Sequence, residues 1–393
     1  MEHSGRVPGE RFFLRKFLAP EFLFGVGALE RVGQYATNLG VQRPLVVTDH
    51  GVTAAGWTAA VRESLGEAGL EHGVYDRVTA NPRAEEVMAG VRVYRDAGCD
   101  SVVAVGGGSP MDCAKGIGIV VANGGHILDY EGVDRVAEPM PPMICVPTTG
   151  GTASELSQFA IILDEPDRRK VAIISKAVVP DVALIDPRTL TTMDPYLTAC
   201  TGLDALVHAI EAFVSTGASA VTDTHALAAT RELSASLLPS LAAPDDLEHR
   251  GRVMLGSLHA GLAFSNASLG GVHAMAHSLG GLLDLPHGEC NALLLEHVIA
   301  FNFPEAESRY RRIGEALGLE PNGRSPKELR SAILAEVRRL RESAGVAGSL
   351  ADRGVHRSDV ADLSRKAMAD PCMVTNPRRP TARDIEVVYE EAL

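Results

Sequence analysis

The hydrophobic period of the chain changes once, near Asp186-Pro187, and this change restricts the possible folds more than any other feature. Upstream, short continuous apolar runs alternate with helical stretches: 45–49 (LVVTD), 101–105 (SVVAV), 143–147 (MICVP) and 182–185 (VALI). Runs without a polar alternate suit parallel strands buried on both faces. Helical patterns at 53–67 and 84–97 separate them, the second with Val87, Val91 and Tyr94 on one side. The segments 159–163 and 170–174 flank Asp164-Glu-Pro-Asp-Arg and read as a hairpin. Downstream, only long 3.6-period stretches follow (203–214, 224–238, 250–264, 289–301, 306–317, 326–343). The pattern predicts an α/β domain with a mainly parallel, Rossmann-like sheet over residues 1–190, and an all-α domain over 191–393.

Charge and cysteine usage narrow the functional class. Lysine plus arginine is 37 and aspartate plus glutamate 50, so the net charge is 37 − 50 = −13, which disfavours a nucleic-acid partner. No uninterrupted apolar stretch approaches the roughly 20 residues of a membrane helix, so no membrane partner is expected. The first seventeen residues carry Glu2, Arg6, Glu10, Arg11, Arg15 and Lys16 and no apolar core, which argues against a signal peptide. Six cysteines are scattered, with no C-x-x-C pair. A reduced, cytoplasmic setting is the expectation.

Two loops and one helical region carry the chemistry. Gly106-Gly107-Gly108-Ser109-Pro110-Met111-Asp112 joins a buried strand to a helix, where glycines and free N–H groups can receive a phosphate. The plain alternative is a capped helix start, with Ser109 as N-cap, Pro110 at the first helical position and Asp112 closing a capping box. Pro147-Thr148-Thr149-Gly150-Gly151-Thr152 leaves the next strand; its hydroxyls suit a cofactor, or simply a turn. Eight of the thirteen histidines fall between 208 and 297. Asp204, His208 and Glu211 lie at i, i+4 and i+7 of one helix as a polar stripe, in which Asp204 and His208 are either an exposed pair or part of a metal site. His273 and His277 form another i, i+4 pair, and His287 reads as a loop histidine. Carboxylate plus imidazoles suits ferrous iron or zinc, but spacing alone leaves open which histidines converge.

Taken together, GGGSPMDCAK (106–115), PTTGGTASE (147–155), GLDALVHAIE (202–211), GGVHAMAHSLGG (270–281), PHGECNALLL (286–295) and PCMVTNPR (371–378) resemble the iron-containing (group III) alcohol dehydrogenases. That family includes lactaldehyde reductases and 1,3-propanediol dehydrogenases. The resemblance implies the fold shared with dehydroquinate synthase, a homodimer or higher homo-oligomer, NAD in the cleft and a divalent metal, ferrous iron or alternatively zinc. It puts the metal ligands on Asp204, His208, His273 and His287, and a non-ligand histidine near metal and nicotinamide on His277. Cofactor contacts fall on Asp49, Asn81, Gly107, Gly108, Ser109, Pro110, Asp112, Thr148, Thr149, Thr152, Phe159 and Lys170. Phe159 and Phe264 fall at substrate-pocket positions. Gly151 and Phe159 depart from residues found in other members, and Phe159 makes the pocket more apolar than lactaldehyde requires.

The residue chemistry leads to the same expectation: oxidation of a small primary alcohol to its aldehyde, with the cation as Lewis acid and nicotinamide as hydride acceptor. At the end of the first clear strand, Asp49 could accept a ribose hydroxyl and disfavour a 2′-phosphate, or merely start a turn. Three rivals remain: an NAD- and metal-dependent lyase of the dehydroquinate-synthase type, a metal-dependent hydrolase, and a non-catalytic nicotinamide-binding protein. A hydrolase would want a carboxylate base beside the metal, and the second histidine pair reads H-A-M-A-H.

Overall fold

The computed structural model describes residues 14–393; the first thirteen, on which part of the leader expectation rests, lie outside it. The strands in chain order are β1 (Glu21–Phe24), β2 (Pro44–Asp49), β3 (Gly73–Val78), β4 (Ser101–Gly106), β5 (Gly132–Val133), β6 (Met143–Pro147), β7 (Phe159–Asp164), β8 (Arg169–Ile174) and β9 (Val182–Ile185). Six of them form a parallel sheet in the order β1-β9-β6-β4-β2-β3. The three apolar runs at its centre are buried on both faces, as their composition requires. Leu45, Val47, Val102, Ala104, Met143 and Cys145 enter one core, while Val46, Val103, Val105, Ile144 and Val146 enter the other. Helices α1 (Val32–Asn38) and α3 (Trp57–Glu67) cover the second face; α4 (Ala84–Asp96) and α5 (Gly108–Asn123) cover the first. A short helix, α2 (His50–Ala54), precedes α3.

The expected hairpin is present: β7 and β8 pair antiparallel, and β5 adds to β8 in a second sheet. Two strands escape the sequence pattern. The sheet is bounded by β1, with Phe22 and Phe24 exposed, and by β3, with Asp76 and Arg77 in its alternation, so neither shows a continuous apolar run. The helix expected over 53–67 is broken into α2 and α3 at Gly56, whose φ of +90° ends one helix and admits the next.

After β9 the chain is helical: α6 (Pro195–Val214), α7 (Ala220–Ala242), α8 (Leu247–Ala267), α9 (Gly271–Leu283), α10 (His287–Asn302), α11 (Glu307–Ala316), α12 (Pro326–Ser343), α13 (Val360–Ala369) and α14 (Ala382–Ala392). The architecture is therefore the expected α/β sheet followed by a helical part. By length and composition α6 could cross a membrane, yet its apolar window is 94% buried by its neighbours, as in the core helix of a globular protein. Asp204, His208 and Glu211 are buried with it, which removes the exposed-pair reading.

Candidate active site

Parallel strands present their carboxyl ends to one side, and ligands bind where the strand order reverses. Here β2 and β4 are neighbours at that reversal, with β6 beside β4. The loops that follow these strands face α6, α8, α9 and α10 across a cleft of about 720 Å³, within the range of small-molecule sites. Every residue singled out above as a cofactor, metal or pocket candidate lines this cleft.

The glycine loop is built differently from a capped helix start. Helix α5 begins at Gly108 with Gly107 as an N-cap that offers no side chain, so its first N–H groups stay available. Ser109 Oγ instead accepts from Asn81 N (3.2 Å), and the Asp112 carboxylate accepts from Ser154 Oγ and Ile161 N. The capping box does not form because both side chains serve neighbouring segments. Gly107 and Gly108 also have a packing role. A Cβ on Gly107 would lie 2.8 Å from Thr149 Cγ2, and one on Gly108 2.9 Å from Thr152 Cγ2. The two loops interlock, and the Thr148 N–H bonds the Gly106 carbonyl at 2.9 Å.

At the mouth of the cleft, Asp49 Oδ1 caps α2 by accepting from Val52 N (2.8 Å). The turn reading holds, and the second carboxylate oxygen remains for a ligand. Asn81, in a left-handed conformation (φ +55°), accepts from Lys170 Nζ (2.8 Å) and donates to Asp284 Oδ1 (2.7 Å) at the end of α9. Burial lowers the pKa of Lys170, while nearby acids oppose that shift.

Deeper in the cleft, one carboxylate meets three imidazoles. Asp204 Oδ1 is 3.9 Å from His208 Nε2, 3.7 Å from His273 Nε2 and 3.9 Å from His287 Nε2. Close helix packing makes this possible. A Cβ on Gly288 would fall 2.1 Å from the Cys200 carbonyl oxygen of α6, so α10 starts against α6 and brings His287 to Asp204. His287 is thus the first residue of a helix rather than a loop histidine. The departure at Gly151 has a similar cause, since its Cβ would fall 2.4 Å from the Thr201 oxygen of α6.

The electrostatics suit a cation. Burial alone would raise the Asp204 pKa, but the surrounding histidines hold it well below the usual range. Burial pushes His208 down to about 4 and His287 well below the ordinary value. For His273, burial works in the same direction but is outweighed by Asp204 and Glu211, and the group is pushed up to about 9. Among the described residues no lysine or arginine ion-pairs with Asp204. The ligating atoms of Asp204, His208 and His273 all lie within 4.8 Å of one another. A buried carboxylate facing imidazole nitrogens, with no lysine or arginine paired to it among the described residues, fits a divalent metal of the iron or zinc type.

Three residues complete the site that the spacing did not reveal. Glu211, read only as part of a helix stripe, accepts from His273 Nδ1 (2.7 Å), Gly270 N (3.1 Å), Val272 N (2.6 Å) and His273 N (3.3 Å). It caps α9 and fixes the His273 tautomer, leaving Nε2 as the lone-pair nitrogen. Asn291 Nδ2 reaches Asp204 Oδ1 at 2.6 Å, and Asp370 Oδ2 reaches His277 Nδ1 at 2.8 Å. These partners are 59 to 93 residues apart, although Asn291 Nδ2 also lies 3.1 Å from His273 Nε2, 18 residues away, and 3.1 Å from His287 Nε2 at i, i+4. Phe264 stacks on His208 (centroids 4.3 Å) and packs against Phe159 (5.8 Å), forming an apolar wall beside the cluster. The buried Lys115 amine holds the Ser157 and Phe159 carbonyls (2.9 and 2.7 Å) and so anchors that wall.

Comparison with known proteins agrees along nearly the whole described chain. The family described as iron-containing alcohol dehydrogenase matches residues 19–187, and the C-terminal part of the Fe-containing alcohol dehydrogenase family matches 198–393. The NAD-dependent methanol dehydrogenase of Bacillus methanolicus is 36% identical over 377 residues, covering 96% of this chain and 99% of its own. The 1,3-propanediol dehydrogenase of Klebsiella pneumoniae is 38% identical over 379 residues, covering 96% and 98%. A crystal structure of a 1,3-propanediol oxidoreductase superimposes with a TM-score of 0.94 at 37% identity, over 97% of this chain and all of that one.

Proposed function

Because the chain belongs to the iron-containing alcohol dehydrogenase family, we propose that it is an NAD- and divalent-metal-dependent dehydrogenase interconverting small primary alcohols and their aldehydes. The observation that carries this reading is the buried Asp204 carboxylate among three imidazole Nε2 atoms, in the same cleft as an uncapped helix N-terminus. Asp204, His208, His273 and His287 would hold the cation, iron(II) or alternatively zinc. When bound, the metal supplies Lewis acidity at the alcohol oxygen and the nicotinamide accepts the hydride.

The chain's own groups do the rest. The first N–H groups of α5, with Thr148, Thr149 and Thr152 beside them, receive the cofactor pyrophosphate. Asn81, whose N–H bonds Ser109 Oγ, and Lys170, which bonds Asn81, would contact the cofactor beside that helix start. Phe159 and Phe264 exclude water and pack against the alkyl part of the substrate. His277 takes the alcohol proton. The hydrolase alternative wants a free carboxylate base at the cluster; Glu211 already accepts four hydrogen bonds and cannot serve. No observation favours the lyase.

NADH absorbance with ethanol, butanol, 1,3-propanediol and a 2-hydroxy acid tests the proposal. We expect turnover across the alcohols, because an apolar wall discriminates only roughly 10–200-fold per methylene. A clear preference for the hydroxy acid, or no NAD reduction by any alcohol, would refute it. NAD is also expected to be preferred over NADP by about 100-fold, since the Asp49 charge disfavours a 2′-phosphate by several kcal/mol. Asp49→Gly should narrow that ratio, and equal kcat/KM for both cofactors in the unmodified enzyme would contradict the assignment.

The proposal extends to a domain boundary near residue 190, a homodimer or larger homo-oligomer and a cytoplasmic location. All six cysteines are free thiols, which supports a reducing compartment. Sedimentation at the mass of a single chain would exclude the oligomer.

A further inference from the structure

The segment at the end of the chain, which includes the PCMVTNPR stretch, carries none of the four ligands assigned above, although the donor atoms of Asp370 and Cys372 lie within 4.8 Å of each other and of a His277 ring nitrogen; it grips α9 at three points. Asn376 Oδ1 accepts from Gly271 N (3.0 Å) at the start of the helix. Tyr389 Oη donates to the Met275 carbonyl (2.8 Å) in its middle. Asp370, between α13 and the turn that follows, reaches the His277 ring. The first two contacts engage backbone and hold the helix in place. The third engages a side chain that lines the cleft.

The orientation of the Asp370 carboxylate is fixed from the other side. Its Oδ1 accepts from Cys372 N (2.8 Å), which leaves Oδ2 facing His277 Nδ1 at 2.8 Å. A carboxylate can only accept, so the imidazole proton belongs on Nδ1 and the lone pair on Nε2. The ring is also held by its neighbours: it stacks on His287 (centroids 5.3 Å, 16°) and meets His273 edge-on (6.1 Å, 73°).

We infer that Asp370 is a positioning residue that keeps His277 in the Nδ1–H tautomer, so that its bare Nε2 is the proton acceptor in the cleft. The inference rests on the proton-accepting role proposed for His277, and the tests separate the two. In Asp370→Asn the Cys372 N–H retains the side-chain oxygen, so the amide NH₂ faces His277 Nδ1 and drives the proton to Nε2. That variant reverses the hydrogen bond, whereas Asp370→Ala only removes it. A purely structural role would make alanine the more damaging change; tautomer control makes asparagine the more damaging one.

The measurements are turnover, metal content, NADH binding and nitrogen-detected tautomer spectra of zinc-loaded, histidine-labelled full-length protein, with the His277 signal identified by its loss in His277→Ala. We expect His277→Ala to lower turnover by roughly 10²-fold or more. Asp370→Asn should lower it by about 10–100-fold, and by more than Asp370→Ala, with metal content and NADH affinity unchanged. The unmodified protein should carry its His277 proton on Nδ1, and Asp370→Asn should carry it on Nε2. A proton on Nε2 in the unmodified protein overturns the inference, even if a variant fails to fold. So does alanine proving worse than asparagine. Full turnover in His277→Ala would instead overturn the catalytic role of His277, with the spectra still deciding whether Asp370 sets the tautomer.

Discussion

Replacing His273 with alanine is expected to remove most of the bound metal and to lower kcat/KM by about 10³-fold or more, while the circular dichroism of the fold is retained. The expected size follows from losing Lewis-acid stabilisation worth several kcal/mol, at about 1.4 kcal/mol per tenfold in rate. His273 is the most constrained member of the cluster. Its Nδ1 is held by Glu211, its ring stacks on His208 (centroids 4.5 Å), and its Nε2 is the imidazole nitrogen closest to Asp204. Metal analysis of the purified variant is the deciding measurement: full occupancy would remove His273 from the ligand set.

The second large effect is expected in stability. Glu211→Ala would leave the Gly270, Val272 and His273 N–H groups at the buried start of α9 without their acceptor, along with His273 Nδ1. Unsatisfied buried donors cost about 1–3 kcal/mol each, and breaking a buried charged network about 3–5 kcal/mol. We expect a loss near 3–5 kcal/mol by denaturant unfolding, and metal affinity lowered by about 10–100-fold because the His273 tautomer is no longer held. Glu211→Gln keeps the volume and one acceptor oxygen and should lose less. A change below about 1 kcal/mol in the alanine variant would show that α9 is capped by other groups.

The sequence was most informative where burial was most uniform. The strands β2, β4 and β6 are legible because a strand covered on both faces has no polar alternate, and the helical part is legible from its long 3.6-residue period. The sheet margins β1 and β3 are hidden because half of each strand meets solvent or carries charge. The break at Gly56 is hidden because the residues on both sides favour helix. In the site, the candidate ligands were readable as motifs, but their convergence was not. Gly288 brings α10 onto α6 through a close backbone approach, a long-range packing fact that no local spacing expresses. Glu211 and Asp370 belong to the same class: each is an ordinary acid in its own segment and acquires a role only from the helix brought against it.

The interlocked loops limit how the cleft can be remodelled. Gly107 fits beneath Thr149, and Gly108 beneath Thr152, with no room for a methyl group at either glycine. Each pair divides one fixed volume between two segments some forty residues apart, so enlarging one member demands shrinking the other. Changes at such shared positions combine non-additively. A graft that imports either loop alone from another scaffold carries half of a matched pair and meets a steric conflict. A graft that imports both loops preserves the fit, which makes the two loops a single exchangeable unit of this cleft.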